Sequence, residues 1–303
     1  MPSKKKIKCS IGILCYNEAQ NIEKLLSALL SQRLNNVEIT EIIVVSSGST
    51  DATDEIVSAF AEKNNFITLL SEPERNGKSA AINTFISIAK NDILIIESGD
   101  TIPAENTIEK LVSPFADDII GMTGGRPLPV NRQDTLIGYS VNLLWKLHHK
   151  MALKQPKLGE MIAFRKVFQS IPAESAVDEA SIEAEIFKHG LQKKYIPDAI
   201  IHNKGPETMS DFIKQRKRIA SGHLWLKETE HYKVTSSNKG LLFRLMLEEM
   251  SEHPGQIPFL FFTMILEFWS RFLGWHDYKL KKKNPFKWET ITTSKKLEFD
   301  NHD

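Results

Sequence analysis

The sequence predicts an α/β fold, a mostly parallel sheet flanked by helices and followed by a C-terminal helical extension. Three observations carry this. Short runs rich in Ile, Val and Leu alternate with helical patterns through the first hundred residues. A polar segment follows several of these runs directly, and a long apolar stretch lies near the C-terminal end. Alternation of strand and helix implies parallel strands covered on both faces, because each crossover lays a helix on the sheet. The chain has 303 residues, 41% of them hydrophobic, enough for one large core or two small ones. Its 39 basic and 38 acidic side chains balance, so no global field recruits nucleic acid.

Residues 7–14, 41–45, 66–70 and 93–96 read as strands bounded by turn residues. Residues 21–31, 53–63 and 78–89 read as helices; in the first, Ile22, Leu25, Leu26, Leu29 and Leu30 recur at intervals of three and four. Farther on, 134–153 predicts a long helix, 161–164 a short strand, and 180–189 a helix closed by Gly190. Residues 195–201 read as extended with a bend at Pro197 and Asp198, and 210–229 as another long helix. These pieces are expected to complete one unit over residues 1–232, with 233–303 as the extension. Lys4, Lys5 and Lys6 form only a short basic tag, and the apolar run after them reads as a strand rather than a signal peptide. Cys9 and Cys15 share that strand, about 20 Å apart at roughly 3.3 Å per residue, which is beyond disulfide reach. A reducing, cytoplasmic compartment is the expectation. The nine histidines show no zinc-binding spacing.

Ligands of open α/β sheets bind at the carboxyl ends of the strands, which directs attention to residues 15–18, 46–51 and 97–101. In Glu97-Ser98-Gly99-Asp100-Thr101, a carboxylate beside a glycine suits a hard divalent cation that also touches phosphate. Such a cation would neutralise charge on a departing diphosphate. Asp100 capping a helix that begins near residues 103–105 accounts for this segment alone equally well. Cys15-Tyr16-Asn17-Glu18 could set an aromatic face and polar groups against a base and ribose. Ser46-Ser47-Gly48-Ser49-Thr50-Asp51 opens a helix whose amides could meet an anion, or is an ordinary start capped by Ser49 or Thr50. Lys78, after Asn76-Gly77, could reach a phosphate or could simply be solvated.

In order, the YNE segment, the GSTD turn, NGKSAAIN and a DxD-like strand end resemble glycosyltransferase family 2, over about residues 7–226. Val177-Asp178-Glu179 resembles that family's acidic pair, and Gln215-Arg216-Lys217-Arg218-Ile219 its QxxRW segment. The resemblance implies the GT-A fold and an inverting, metal-dependent transfer of sugar from a nucleotide-diphosphate donor, a UDP- or GDP-sugar, to an acceptor hydroxyl on a glycan or lipid-linked acceptor. It implies donor contacts from Tyr16, Asn17, Glu18, Ser47, Asp51, Lys78, Asn83 and Ser98. It makes Asp100 the ligand of Mg2+ or Mn2+, and places Gln215 and Arg218 near the diphosphate or acceptor. Glu179, or else Asp178, becomes the base for the acceptor hydroxyl, provided it lies within hydrogen-bond reach. Both carboxylates also suit a helix N-terminus on electrostatic grounds. His202, at a strand end, could add a metal ligand or simply pack.

The chain departs from the family pattern where Ser46 and Ser47 replace acidic residues, where Ser98 replaces the first Asp of DxD, and where Ile219 replaces tryptophan. The last departure argues for single additions rather than processive polymerisation. A sugar-nucleotide-forming nucleotidyltransferase would show a glycine-rich, Arg-containing loop after the first strand, where Cys15-Tyr16-Asn17-Glu18 stands instead. A degenerate, nucleotide-sugar-binding scaffold of a membrane assembly is the alternative that the serine substitutions favour.

Residues 257–275 are nearly long enough to span a bilayer, but Glu267 and Arg271 interrupt them. Spaced i, i+4, those two can pair along one face. Trp269, Trp275, Tyr278 and Trp288 suit an interface belt, and Lys279, Lys281, Lys282, Lys283 and Lys287 suit anionic headgroups. The expectation is an amphipathic helix lying in the cytoplasmic leaflet; a helix packed on the catalytic domain, or a dimer contact, is the other reading.

Overall fold

The computed structural model describes residues 5–229, 238–281 and 297. Strands β1 (Ile7–Cys15), β2 (Val37–Ser47), β3 (Ile67–Glu72) and β4 (Ile93–Ser98) alternate with α1 (Ile22–Leu30), α2 (Thr53–Lys63) and α3 (Lys78–Ile88). Then follow β5 (Thr101–Pro103), α4 (Thr107–Val112), β6 (Ile120–Pro129), α5 (Leu136–Lys154), β7 (Ile162–Arg165), α6 (Asp178–Lys188) and β8 (Gln192–Asn203). Helices α7 (Met209–Thr229), α8 (Lys239–Glu252) and α9 (Ile257–Lys279) complete the described chain.

The eight strands form one sheet in the order β3-β2-β1-β4-β7-β6-β8-β5. β1 to β4 run parallel, whereas β7 pairs antiparallel with both β4 and β6. Successive side chains of β1 go to opposite faces. Cys9, Ile11, Ile13 and Cys15 join the core under α1 and α2, while Leu14 joins the core containing Phe85 of α3. On the Phe85 side, β1 carries Gly12, where a Cβ would stand 2.5 Å from Phe85 Cγ, so only glycine admits that ring. Both cysteines are buried and form no disulfide with each other, their thiols donating to the Glu38 and Val45 carbonyls.

The sequence reading did not foresee β5 or β6. Two prolines and three glycines mask β6, yet Gly124 and Gly125 are where the side chains of Leu158 and Ile201 come close. The helix expected near residues 103–105 begins at Thr107 instead, with Asn106 at its N-cap position, so Asp100 caps no helix. Neither Ser49 nor Thr50 caps α2, whose N-cap position is Ala52. The bend expected at Pro197 and Asp198 appears as a register shift in an otherwise continuous β8.

α8 packs on α5, and α9 packs along α7 and against α5. α9 buries Leu260, Thr263, Leu266, Ser270 and Gly274. At Gly274 a Cβ would meet the Lys217 carbonyl at 2.6 Å, so glycine sets the closeness of the two helices. Glu267 does pair with Arg271 (2.7 Å), but it also accepts two hydrogen bonds from the Arg216 guanidinium of α7, at 2.7 and 2.6 Å. Lys217 pairs with Asp277 at 2.6 Å. Glu267 of α9 is thus turned toward α7, and large apolar side chains of the same helix face outward. Ile265 and Phe268 are 68% and 72% exposed. By length and composition, the helical stretch Pro254–Lys279 is apolar enough to cross a membrane. Lys4, Lys282, Lys283, Lys287, Trp288 and the 232/233 boundary lie outside the described residues.

Candidate active site

The carboxyl ends of β1, β2 and β4 converge as the sheet topology requires, and two of the loops there are tied together by side chains. Asn17, whose φ of 55° falls in the left-handed region that Asn tolerates, accepts a hydrogen bond from Thr50 N at 2.7 Å. Asp51 accepts from Ala19 N at 3.1 Å and from Thr53 N at 3.0 Å. These bonds, with burial opposing them, hold its carboxyl below the usual range. At Gly99 a Cβ would lie 2.7 Å from Glu18 Cγ and 3.1 Å from Cys15 Cβ. The absent side chain is what lets the β4 end approach the loop after β1.

Above these ends lies a cavity of about 850 Å³. Tyr16, Glu18, Ser47, Lys78, Ser98, Asp100, Asp178, Glu179, Gln215 and Arg218 all line it, so most of the residues singled out in the sequence meet there. Asn17, Asp51 and Asn83 do not line it. The first two bind the strand-end loops as described, and Asn83 exchanges two hydrogen bonds with the backbone of Ile171, at 2.9 and 2.8 Å. These three side chains help to organise the walls around the cavity. His202 sits on β8 opposite Ile102 and also lies outside the cavity lining. Ser47 donates to Glu72 at 2.8 Å, so a carboxylate from β3 stands beside the serine that replaced an acidic residue.

Lys78 opens α3 directly after Gly77, whose φ of 94° favours glycine. Its Nζ lies 2.9 Å from Glu179 Oε1 and 3.7 Å from Asp178 Oδ2, both in the first turn of α6. Burial alone would lower the ammonium pKa, but the two carboxylates outweigh it and hold it above its ordinary value. Burial works against Glu179 as an anion, yet Lys78 keeps its carboxyl below the ordinary range. Burial raises Asp178, to which Ser79 donates at 2.5 Å. Burial lowers Arg218 to about 10, a fall partly offset by Asp178, Glu179, Glu160 and Asp100.

Sequence reasoning missed two further groups. Arg75 lines the cavity and its guanidinium sits 4.2 Å over the Tyr16 ring, covering one aromatic face. Glu160 lines the cavity with a φ of 54°, a strained conformation for glutamate, and accepts from Asn203 at 3.1 Å. Burial, then Asp100 and Glu179, push its carboxyl up to about 7. No local pattern marks Glu160. Only the converging acidic residues of distant segments make it unusual.

Glu97 is 1% exposed, and neither of its carboxyl oxygens has a hydrogen-bond partner among the described residues. Burial, followed by Glu160 and Asp100, holds it well above the carboxylate range. It does not line the cavity, so Asp100 is the carboxylate of this strand-end segment that faces it. Asp100 and Glu160 both face the cavity within one anionic field, offering oxygen donors of the kind a hard divalent cation takes. The donor chemistry fits Mg2+ or Mn2+.

The profile described as "Glycosyl transferase family 2" matches residues 10–171, more than half of the sequence. The chain belongs to glycosyl transferase family 2. This glycosyltransferase is 26% identical over 250 residues to a poly-beta-1,6-N-acetyl-D-glucosamine synthase of Staphylococcus aureus, a match covering 78% of the chain. It spans about 60% of the length of that synthase. It is 36% identical over 116 residues, 38% of each chain, to glycosyltransferase AglE of Haloferax volcanii. Its fold resembles that of a mannosyltransferase from Pyrobaculum calidifontis in complex with GDP-Man and Mn2+, with a TM-score of 0.68 and 21% identity over 92% of this chain and 88% of that one. A glucosyl-3-phosphoglycerate synthase from Mycobacterium tuberculosis, in complex with Mn2+, UDP and phosphoglyceric acid, matches at 0.51 with 19% identity, over 71% of this chain and 76% of that one. The glycosyltransferase therefore has the GT-A fold.

Proposed function

We propose that this glycosyltransferase moves a sugar, with inversion and with a divalent cation, from a UDP- or GDP-sugar to the hydroxyl of a lipid-linked or glycan acceptor. The observation that carries the reading is the meeting of Glu179, Lys78 and Asp100 in one cavity, from three segments far apart in the chain. Glu179 is the base: it accepts the acceptor proton at a carboxylate oxygen as that hydroxyl oxygen attacks the anomeric carbon. A cation held by Asp100, with Glu160 in the same field, would neutralise charge on the departing diphosphate. Lys78 stands at the N-terminus of α3, where its ammonium and the helix amides both favour an anion. Drawing Lys78 toward the diphosphate frees Glu179 from its counter-ion, so donor binding would raise the basicity of the base. Ile219 lines the cavity where processive relatives carry tryptophan, which supports single additions.

The outward apolar face of α9 supports contact with a membrane surface, with Lys279 and Lys281 toward anionic headgroups at the cytoplasmic face. Flotation with vesicles rich in anionic lipid tests this, and a protein that stays with the unbound fraction would exclude it. For the transfer itself, calorimetric titration with UDP and then GDP, with and without Mn2+, tests the donor site. Tight binding of one nucleotide that requires both Mn2+ and Asp100 is the expected result. Binding that is indifferent to Asp100→Ala would remove the cation-bridged donor. Turnover that survives Glu179→Gln would remove the base.

A further inference from the structure

The cavity does not end at the acidic centre. It continues to a second region walled by Leu144, Trp145 and Met151 of α5, Leu242 and Met246 of α8, and Met264 of α9. Met264 is also part of the exposed apolar surface of α9, beside Phe261, Ile265 and Phe268. One cavity thus joins Glu179 to an apolar outer face.

Cations stand on this apolar lining. Lys157, Arg216 and Arg271 all line the cavity. Arg216 and Arg271 share a single carboxylate, Glu267, and Glu183 is engaged by Lys193. Among the described residues, no carboxylate lies within ion-pair distance of Lys157. Lys157, Arg216 and Arg271 therefore stand with two carboxylates, Glu267 shared by both arginines and Glu183 already engaged by Lys193, a local excess of positive charge. The charge is felt: burial, then Arg216 and Arg271, bring Lys157 down to about 7. Burial, then Lys157, Arg216 and Arg271, bring His223 in the same lining down to about 3, so its imidazole is neutral. Burying like charges together is costly unless an anion joins them. The donor site proposed above already offers the diphosphate Lys78 and a cation on Asp100, which leaves Lys157, Arg216 and Arg271 for another anion.

We propose that this region is the acceptor site for an anionic amphiphile, a hydrocarbon chain joined through a phosphate or diphosphate to the sugar that carries the acceptor hydroxyl. This rests on the transferase reading above and narrows its acceptor. The phosphate lies on Lys157, Arg216 and Arg271, and the chain follows the apolar wall toward the outer face of α9. The sugar hydroxyl points to Glu179. In the transfer, the O–H bond breaks with its proton going to Glu179, and the oxygen forms the bond to the anomeric carbon. The nucleoside diphosphate leaves with the electron pair of the broken glycosyl bond.

The test uses the full chain and three probes: decyl phosphate below its micellar concentration, decyl glucoside, and inorganic phosphate. Binding is measured by calorimetry, with UDP or GDP plus Mn2+ titrated into the same samples. Decyl phosphate is expected to bind at least about tenfold more tightly than either other probe, the scale of one charge-assisted contact. Lys157→Gln should abolish that preference and Lys157→Arg should retain it, while nucleotide binding is unchanged in both. Equal binding of the charged and neutral amphiphiles would overturn the anionic headgroup. Equal binding of inorganic and decyl phosphate would overturn the lipid and leave a free anion site. If Lys157→Gln does not fold, Leu242→Asp at the apolar wall provides the same test, and undiminished decyl phosphate binding there would overturn the chain path. Loss of nucleotide binding in the wild type would count against the transferase reading, whereas retained nucleotide binding without amphiphile selectivity counts against this proposal alone.

Discussion

Lys78 Nζ and Glu179 Oε1 lie 2.9 Å apart across 101 residues of sequence, joining the start of α3 to the start of α6. About a quarter of each side chain stays accessible, from within the cavity. The proposed base is thus held as an anion by the residue proposed to meet the diphosphate.

Replacing Lys78 by Met should be felt in both stability and pH dependence. Glu179 is depressed by Lys78, so the pair stabilises the fold above the ordinary carboxylate range and loses that contribution as pH falls through the depressed value. Lys78 is raised, so its share persists up to its ordinary ammonium range and fades only above it. The variant should lose about 2 kcal/mol at pH 7, below the usual cost of breaking a buried pair because part of each group is solvated. The acid limb of kcat/KM should move to higher pH as Glu179 loses its counter-ion. Denaturant unfolding and a pH–rate profile measure the two effects; an unmoved acid limb would show that Glu179 is not the titrating base.

Glu160 offers a test with the opposite sign. Its carboxyl is raised to about 7, so folding takes up protons between the ordinary carboxylate range and pH 7, and stability falls as pH rises across that window. Glu160→Gln should therefore be stabilising at pH 8, on the order of 1 kcal/mol or roughly 3 °C in Tm, and nearly neutral at pH 5. Thermal melts at the two pH values decide this. The same variant should weaken Mn2+-dependent nucleotide binding if its oxygen helps to hold the cation.

At Gly99 the space is already taken. Gly99→Ala brings a Cβ within 2.7 Å of Glu18 Cγ and 3.1 Å of Cys15 Cβ, forcing the β4 end away from the loop after β1. A cost of about 1–3 kcal/mol is expected from overpacking, with nucleotide binding weakened because Asp100 moves with the strand end. Unchanged affinity in calorimetry would show that Asp100 is positioned independently of Gly99.

The seating of α9 depends on a charged contact between helices. Glu267→Ala strands the guanidinium of Arg216, which is 19% exposed, and should cost about 3 kcal/mol. The double change Glu267→Met with Arg216→Met should recover most of that loss, because an apolar pair of similar volume needs no compensation. Chemical denaturation of the two variants measures the difference.

The local chemistry of the chain was enough to determine the first half of the sheet. Helix spacing and β-rich runs depend on neighbours a few positions away, so α2 was read at its observed bounds, and β1, β4 and α1 within one or two residues at either end. The strand-end segments were equally legible, because a parallel sheet brings its carboxyl ends together whatever its exact strand order. Local pattern failed where a residue's role is set by a distant partner. The partners that Asn17, Asp51 and Asn83 find in backbone groups of other segments could not be read from their own neighbours. Glu160 has no motif, and only its burial in the tertiary structure, with Asp100 and Glu179 brought beside it, raises its pKa. The direction in which α9 turns its apolar face is likewise unreadable from its own residues. Arg216 of α7 meets Glu267 on the side of α9 that also buries Leu260, Leu266 and Gly274, and these contacts with other elements together decide which side of the helix meets the protein.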